Sequence, residues 1–507
     1  MSRGNPFRGV GATPRRLLVL AVVLQAALGL YRAWIVVSGL PGFAPSLLGR
    51  ASEAGAFSSL PFALALLAVA GAASFRAQGG PAGRLEAAGL AGLLALAGAG
   101  VALTAAGILT TRLVPSAAWA AVGLGLAGAL VLPARPPKGP ASPSGLSPWD
   151  AATLALLLVL LVPSVFPYVH FDAKAIWGCR ALAVAASGSL AALGECSHAG
   201  YPPLFSLLLA MGGNDPVLGG RLVAWLTAVF AAFFLRGAFA RLSPRHSAAA
   251  TLFVVSTGWF WVTSAMYYAN VPLMAFLSAG AILAFGAVPR AWNDTGPERG
   301  ARAAGALLFA AAVLVRPDGW IYTAAVAAAA VVLAARRTAR PRFLPFAGAA
   351  AAWAAWAFRP DGLRFANTFT DNASTWRTAA ATGPDAVRKI VAVSLHVLQG
   401  TWLAHWGLGL ALWVLLFAAI AVLRRERAPS PATVSWGVVA AAGLGTVLVL
   451  YALLPFTVDV VAGVGLEPPR GFLESWENFA RVGMGRMVVH LLPAAALFVL
   501  AVVEDAG

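Results

Sequence analysis

Charge is scarce in this chain. Asp, Glu, Lys and Arg make up 11% of its 507 residues, and 19 residues are acidic. With 60% apolar residues and a mean hydropathy of +0.80, that scarcity excludes an ordinary soluble domain of this length. Histidine is also sparse, at six residues, and no His, Asp and Glu cluster carries metal-ligand spacing. No required metal or other cofactor is therefore expected, with a divalent ion left open. Cysteine is limited to Cys179 and Cys196. No inverted repeat is visible, which counts against a transporter built from two related halves.

What the chain does contain is apolar runs, at 17–37, 58–74, 86–110, 113–132, 150–166, 202–240, 248–264, 271–288, 303–315, 319–335, 343–358, 403–423, 432–455 and 486–503. A helix crosses a hydrocarbon core of about 30 Å with roughly 20 residues, so these runs predict an all-α, polytopic membrane bundle of about fourteen crossings, with twelve as the lower bound. The sixth run is interrupted by Gly212-Gly213-Asn214-Asp215-Pro216 and reads as a short partial helix followed by one full crossing. The shortest runs read as tilted or half-buried helices inside the bundle.

Arginine distribution supplies an orientation. If the N-terminus with Arg3, Arg8, Arg15 and Arg16 is cytoplasmic, the same side receives Arg135 and Lys138, Arg241 and Arg245, Arg336 and Arg337, and Arg424 and Arg425. The short loops opposite hold Arg50, Arg112 and Arg316. This bias predicts cytoplasmic termini and an integral protein of the cytoplasmic membrane. The net charge of +17 is then explained by anionic lipid headgroups and calls for no nucleic-acid partner.

On this topology three long polar segments share the extracytoplasmic face: Pro167 to Gly200, Arg359 to Thr401, and Thr457 to Gly485. Connections this long are usually functional. They are expected to carry amphipathic loop helices. Residues 133–148 read as a Pro/Gly/Ser-rich linker, separating an N-terminal four-helix membrane module (1–132) from a membrane core (149–507).

Five short motifs fall in order on that face. They are Phe171-Asp172-Ala173-Lys174-Ala175-Ile176-Trp177, His198-Ala199-Gly200-Tyr201-Pro202-Pro203-Leu204, Tyr268-Ala269-Asn270-Val271-Pro272-Leu273, Arg316-Pro317-Asp318-Gly319, and Gly485-Arg486 through His490 to Pro493. Together they resemble the bacterial polytopic glycosyltransferases of the GT-C class, which include protein O-mannosyltransferases and lipid A aminoarabinose transferases. The resemblance covers roughly residues 148 to 507, and the first four crossings lie outside it.

The resemblance implies transfer of a sugar from a polyprenyl-phosphate donor to a lipid, glycan or protein acceptor, among membrane lipids and outside the cytoplasm. Such a reaction needs a base for the acceptor hydroxyl and cations for the departing phosphate. It implies Asp172 as the general base, and Arg486, Lys174, Arg316 and His490 as donor-phosphate ligands. Asn270, Tyr201, His198 and Trp177 are implied to line the substrate pocket.

Each has a bland alternative. Asp172 suits a helix N-cap, Lys174 a snorkelling interfacial lysine, and Arg316 an ion pair with Asp318. His490 is also read as a residue that packs or bonds within the bundle, and Tyr201 as part of a proline-fixed helix start. Asn270 departs from the family pattern, where an acidic residue often stands, and an amide cannot act as a base. Cys179 and Cys196 share the first outer loop, where an oxidising compartment allows a disulfide with an entropic gain on the order of 3 kcal/mol; two reduced thiols are the alternative. Two other functional classes stay open, a transporter or flippase of lipid-linked glycans and a non-catalytic membrane assembly or sensing protein.

Overall fold

The computed structural model describes residues 60–77, 80–131, 146–165, 173–196, 198–212, 216–257, 268–287, 299–339, 341–365, 428–453 and 489–506, with isolated positions at 23, 27, 260, 263–264, 418–420 and 422–423. Among them every regular element is helical, and β-structure is confined to one bridge between Arg112 and Ser189.

In chain order the α-helices are α1 (Leu60–Arg76), α2 (Pro81–Thr110), α3 (Pro115–Val131), α4 (Pro148–Val165), α5 (Cys179–Ser187), α6 (Leu204–Ala210) and α7 (Pro216–Leu242). They continue with α8 (Ser247–Ser256), α9 (Asn270–Phe285), α10 (Arg299–Val315), α11 (Gly319–Ala335), α12 (Leu344–Ala357), α13 (Pro431–Leu453) and α14 (Leu492–Ala506). A π-helical turn at Ala173–Gly178 leads into α5, and 3-10 turns lie at Leu190–Glu195, Asp361–Leu363 and Val489–Leu491.

The helix starts follow from local chemistry. Proline opens α2, α3, α4, α7 and α13, where its fixed φ suits the first turn and its missing N–H has no intrahelical partner to lose. At α4 the Asp150 backbone N–H donates to Ser147 Oγ at 3.3 Å, and the Ser147 N–H donates to Asp150 Oδ2 at 2.9 Å, a reciprocal capping box. The apolar run 202–240 divides into α6 and α7 around Gly212 to Pro216, as the partial helix and long helix expected there.

Two described helices are long and apolar enough to cross a membrane by length and composition: Pro81–Thr110, with mean hydropathy 2.0, and Gly220–Leu242, with 1.9. The other described apolar helices are shorter, at 10–17 residues. Of the expected runs, 17–37 and 403–423 lie almost wholly outside the described residues.

Helix α7 is apolar all round because it sits in the interior, with 89% of its apolar window inside the protein. It lies directly against α2, and a Cβ on Gly89 would be 2.3 Å from the Phe234 backbone nitrogen, so only glycine permits this approach. Two of its charged side chains form ion pairs. Arg236 Nε donates to Asp150 Oδ1 at 2.6 Å and its Nη1 to Ser247 Oγ at 2.7 Å, while Arg241 pairs with Glu86 at 2.8 Å. His246 contacts Glu504 at 3.5 Å, joining the turn after α7 to the end of α14. Buried side chains from α1 through α14 form one continuous apolar core, so the described helices before residue 133 share it with those after 148.

Candidate functional site

Two polar groups interrupt this apolar interior near motif residues. The first is built at the turn between α10 and α11. Pro317 disfavours helical backbone at Arg316 and so ends α10. Gly319 opens α11 so close to the preceding helix that an added Cβ would lie 2.1 Å from the Ala312 carbonyl oxygen. Asp318 occupies the N-cap position of α11, yet its carboxylate makes no capping bond. It accepts instead from Arg316 Nε at 2.9 Å.

The same guanidinium reaches a second helix. Arg316 Nη1 donates to Asn270 Oδ1 at 2.8 Å, and Asn270 is the first residue of α9. The Asn270 amide nitrogen in turn meets His490 Nε2 at 3.4 Å, across 220 residues of sequence. Tyr322, one turn into α11, stands edge-on to the His490 ring with centroids 5.0 Å apart. Asn270, Tyr322 and His490 are buried, and the Arg316 and Asp318 side chains are 13% and 12% exposed. Two atoms of this cluster, His490 Nδ1 and Asp318 Oδ2, are buried without a hydrogen-bond partner among the described residues.

The second group is the loop around α5. A disulfide joins Cys179 at the head of α5 to Cys196, with Cα atoms 6.0 Å apart. The loop is tied to the end of α2: Leu113 N–H donates to Gly188 O at 2.9 Å, Leu190 N–H to Thr111 O at 2.8 Å, and Ser189 Oγ to Thr111 O at 3.0 Å. Beyond the disulfide, His198 adopts φ 58°, a left-handed conformation uncommon for a non-glycine residue. The Tyr201 N–H closes that turn by donating to His198 O at 3.0 Å.

Aromatic rings converge here. Tyr201 lies 4.8 Å from His198 and 6.0 Å from Trp177, and Trp177 packs edge-on against Phe205 at 5.6 Å. Arg180 is fully buried beside them and donates from Nη2 to Tyr201 O at 2.5 Å. Burial pulls its guanidinium down to about 9, still charged at neutral pH.

Of the residues singled out from the sequence, the structure thus brings Asn270, Arg316 and His490 into one cluster, and Trp177, His198 and Tyr201 into another. Asp172 and Arg486 lie outside the described residues, as does the Lys174 side chain; the Lys174 backbone is in the π-helical turn. Sequence reasoning placed Arg180-Ala181-Leu182 just after the first motif without assigning Arg180 a role, missed Tyr322, and treated Asp318 merely as a partner for Arg316. A signal existed for two of them, since Tyr322 follows Asp318 by four residues and Arg180 follows Trp177 by three, the spacings that put side chains on one helix face. Among the described residues no group of three or more His, Cys, Asp or Glu side chains is placed to hold a metal ion.

Comparison with protein-family models, curated proteins and solved structures finds no match to this chain.

Chemically, the Arg316 cluster is an internally compensated site. The guanidinium charge is met by Asp318, and the remaining members are an amide, an imidazole and a phenol. As far as its described residues go, such a site orients uncharged polar groups better than it attracts an anion, because the one cation among them already has a carboxylate partner. Arg180 is different in kind, a buried cation with a backbone carbonyl and an aromatic ring as its neighbours, its carbon Cζ 6.0 Å from the Trp177 ring.

Proposed function

We propose that this chain is a polytopic α-helical membrane glycosyltransferase of the GT-C type, moving a sugar from a polyprenyl-phosphate donor to a lipid, glycan or protein acceptor on the extracytoplasmic face. The observation that carries this reading is the convergence of Asn270, Arg316 and His490. Three motifs singled out for their order along the chain supply one buried polar cluster. The disulfide between Cys179 and Cys196 also supports it, since the loop that follows Asp172 then belongs in an oxidising compartment.

In the proposed reaction Asp172 accepts the proton of the acceptor hydroxyl as that oxygen attacks the anomeric carbon. The bond from that carbon to the donor phosphate oxygen breaks, and the polyprenyl phosphate leaves from the opposite side with inversion. Arg486 and Lys174 are assigned to the departing charge. Arg316, already committed to Asp318 and Asn270, is assigned to holding the site in shape.

The second reading is a transporter or flippase of lipid-linked glycans. The observation favouring it is Arg221 and Arg236, both buried in the long apolar helix α7, because ionisable residues inside a span often mark a translocation path. Against it, Arg236 is held by Asp150 and Ser247 as a structural anchor.

Membranes containing the wild-type chain or Asp172→Asn at equal abundance, supplied with labelled polyprenyl-phosphate sugars, separate these readings. Transfer by the wild type and its loss in the variant, with donor binding retained, supports the transferase. Absence of transfer by the wild type across donors and acceptors, or equal transfer by both chains, rejects it in favour of a transport or non-catalytic role.

A further inference from the structure

The network around Asn270 determines where the proton of His490 sits. A guanidinium only donates hydrogen bonds, so the atom of the Asn270 amide that faces Arg316 at 2.8 Å must be its oxygen. The other end of the amide, its NH2, then faces His490 Nε2 at 3.4 Å. An NH2 group only donates, so Nε2 must offer a lone pair. A neutral imidazole with an unprotonated Nε2 carries its hydrogen on Nδ1.

We infer that Asn270 fixes His490 as the neutral Nδ1–H tautomer, so that the cluster presents one N–H donor and one carboxylate acceptor to a hydroxyl-bearing ligand. The donor is His490 Nδ1 and the acceptor is Asp318 Oδ2, both buried and without a hydrogen-bond partner among the described residues. A hydroxyl complements such a pair, because it accepts and donates at once. A phosphate complements it poorly: it carries at least one negative charge, which would meet the Asp318 carboxylate in a cluster whose guanidinium is already paired with that carboxylate. Tyr322, edge-on to the ring at 5.0 Å, holds the imidazole in this orientation.

This explains the residue type at position 270. A carboxylate there would accept from Arg316 and also demand a donor from His490, drawing the proton to Nε2 and leaving Nδ1 as an acceptor. Asparagine joins the same two neighbours with opposite polarity at its two ends. It is a positioning residue, acting through His490. The tautomer follows from the network alone; only the identity of the hydroxyl as belonging to a sugar or its acceptor rests on the function proposed above.

The experiment is nitrogen-15 NMR of the full chain labelled at histidine side chains, in lipid nanodiscs. His490-Leu491 is the one His-Leu pair in the sequence, so carbonyl-labelled histidine with amide-labelled leucine assigns it without substitution. The expected result is a protonated, pyrrole-type shift at Nδ1 and an unprotonated, pyridine-type shift at Nε2, exchanging places in Asn270→Asp. A proton on Nε2 in the wild type overturns the inference, whether or not the variant folds. So does a folded Asn270→Asp chain with unchanged shifts.

The ligand class is read from the same signals. Glycerol, a small polyol, is expected to move the Nδ1 resonance in a saturable way, and inorganic phosphate at matched ionic strength is expected to leave it in place. Movement with phosphate, or none with glycerol, overturns the hydroxyl assignment and leaves the tautomer standing. None of these outcomes depends on sugar transfer, so failure of the transferase reading remains a separate result.

Discussion

Arg316 and Asn270, 46 residues apart, are joined by a 2.8 Å hydrogen bond from guanidinium to amide oxygen. The same guanidinium holds Asp318 at 2.9 Å, so one side chain ties the α10–α11 turn to the start of α9. Removing it strands a largely buried carboxylate. Arg316→Ala is expected to destabilise the protein by about 3–5 kcal/mol, the usual cost of breaking a buried pair from one side. Arg316→Lys should recover part of this, because an ammonium keeps the charge but lacks the planar fork that serves Asp318 and Asn270 together. Thermal unfolding in detergent ranks wild type above lysine above alanine; equal melting of all three would show that the pair contributes nothing.

Gly319 provides a test that changes no polar group. An added Cβ would sit 2.1 Å from the Ala312 carbonyl oxygen, a backbone atom that cannot swing aside. Gly319→Ala should therefore push α10 and α11 apart and cost roughly 1–3 kcal/mol through overpacking. Its signature is a lowered melting temperature together with a disturbed His490 environment, since Tyr322 rides on the displaced helix. A variant that melts like the wild type would contradict the close approach.

The Cys179–Cys196 disulfide closes a loop with a sequence separation of 17. The chain-entropy relation assigns such a loop about 3 kcal/mol. Alkylation of the purified chain is expected to add mass only after reduction, and replacing both cysteines by serine should loosen the loop and lower the melting temperature. Alkylation of both thiols without reductant would remove this support for an oxidising compartment.

Metal removal tests the reaction chemistry. If the proposed transfer uses Asp172 as base and cationic side chains for the phosphate, exhaustive chelation of divalent ions should leave the rate within about twofold of the untreated membranes, well under the tenfold that 1.4 kcal/mol represents. A large loss restored by adding back a divalent ion would place a metal in the reaction.

How much was legible beforehand differs sharply between levels. The interruption at Gly212 to Pro216 was legible as the division between a short helix and a long one, because such signals act within one turn of backbone, whereas the helices that start at Pro81 and Pro148 were placed from apolar runs beginning at 86 and 150. Helical class was equally plain from apolar runs with few charges. Within the Arg316 motif, the pairing with Asp318 was readable as well, since two residues of a tight turn have little freedom to avoid each other.

The cluster itself was not. Asn270 read as a pocket residue where an acidic one often stands, and His490 either as a phosphate ligand or as a residue that bonds within the bundle, while each stood alone in its own motif. Their roles depend on meeting each other across 220 residues and on Arg316 having its charge already met by Asp318. The sequence by itself determined helical class, the division of the 202–240 run and the polar motifs, because apolar runs and helix breakers are local and survive without neighbours. Only the tertiary structure decided which motif residues share a site and which end of the Asn270 amide faces His490. Hydrogen-bond polarity belongs to a pair of groups, and helix packing chooses the pairs.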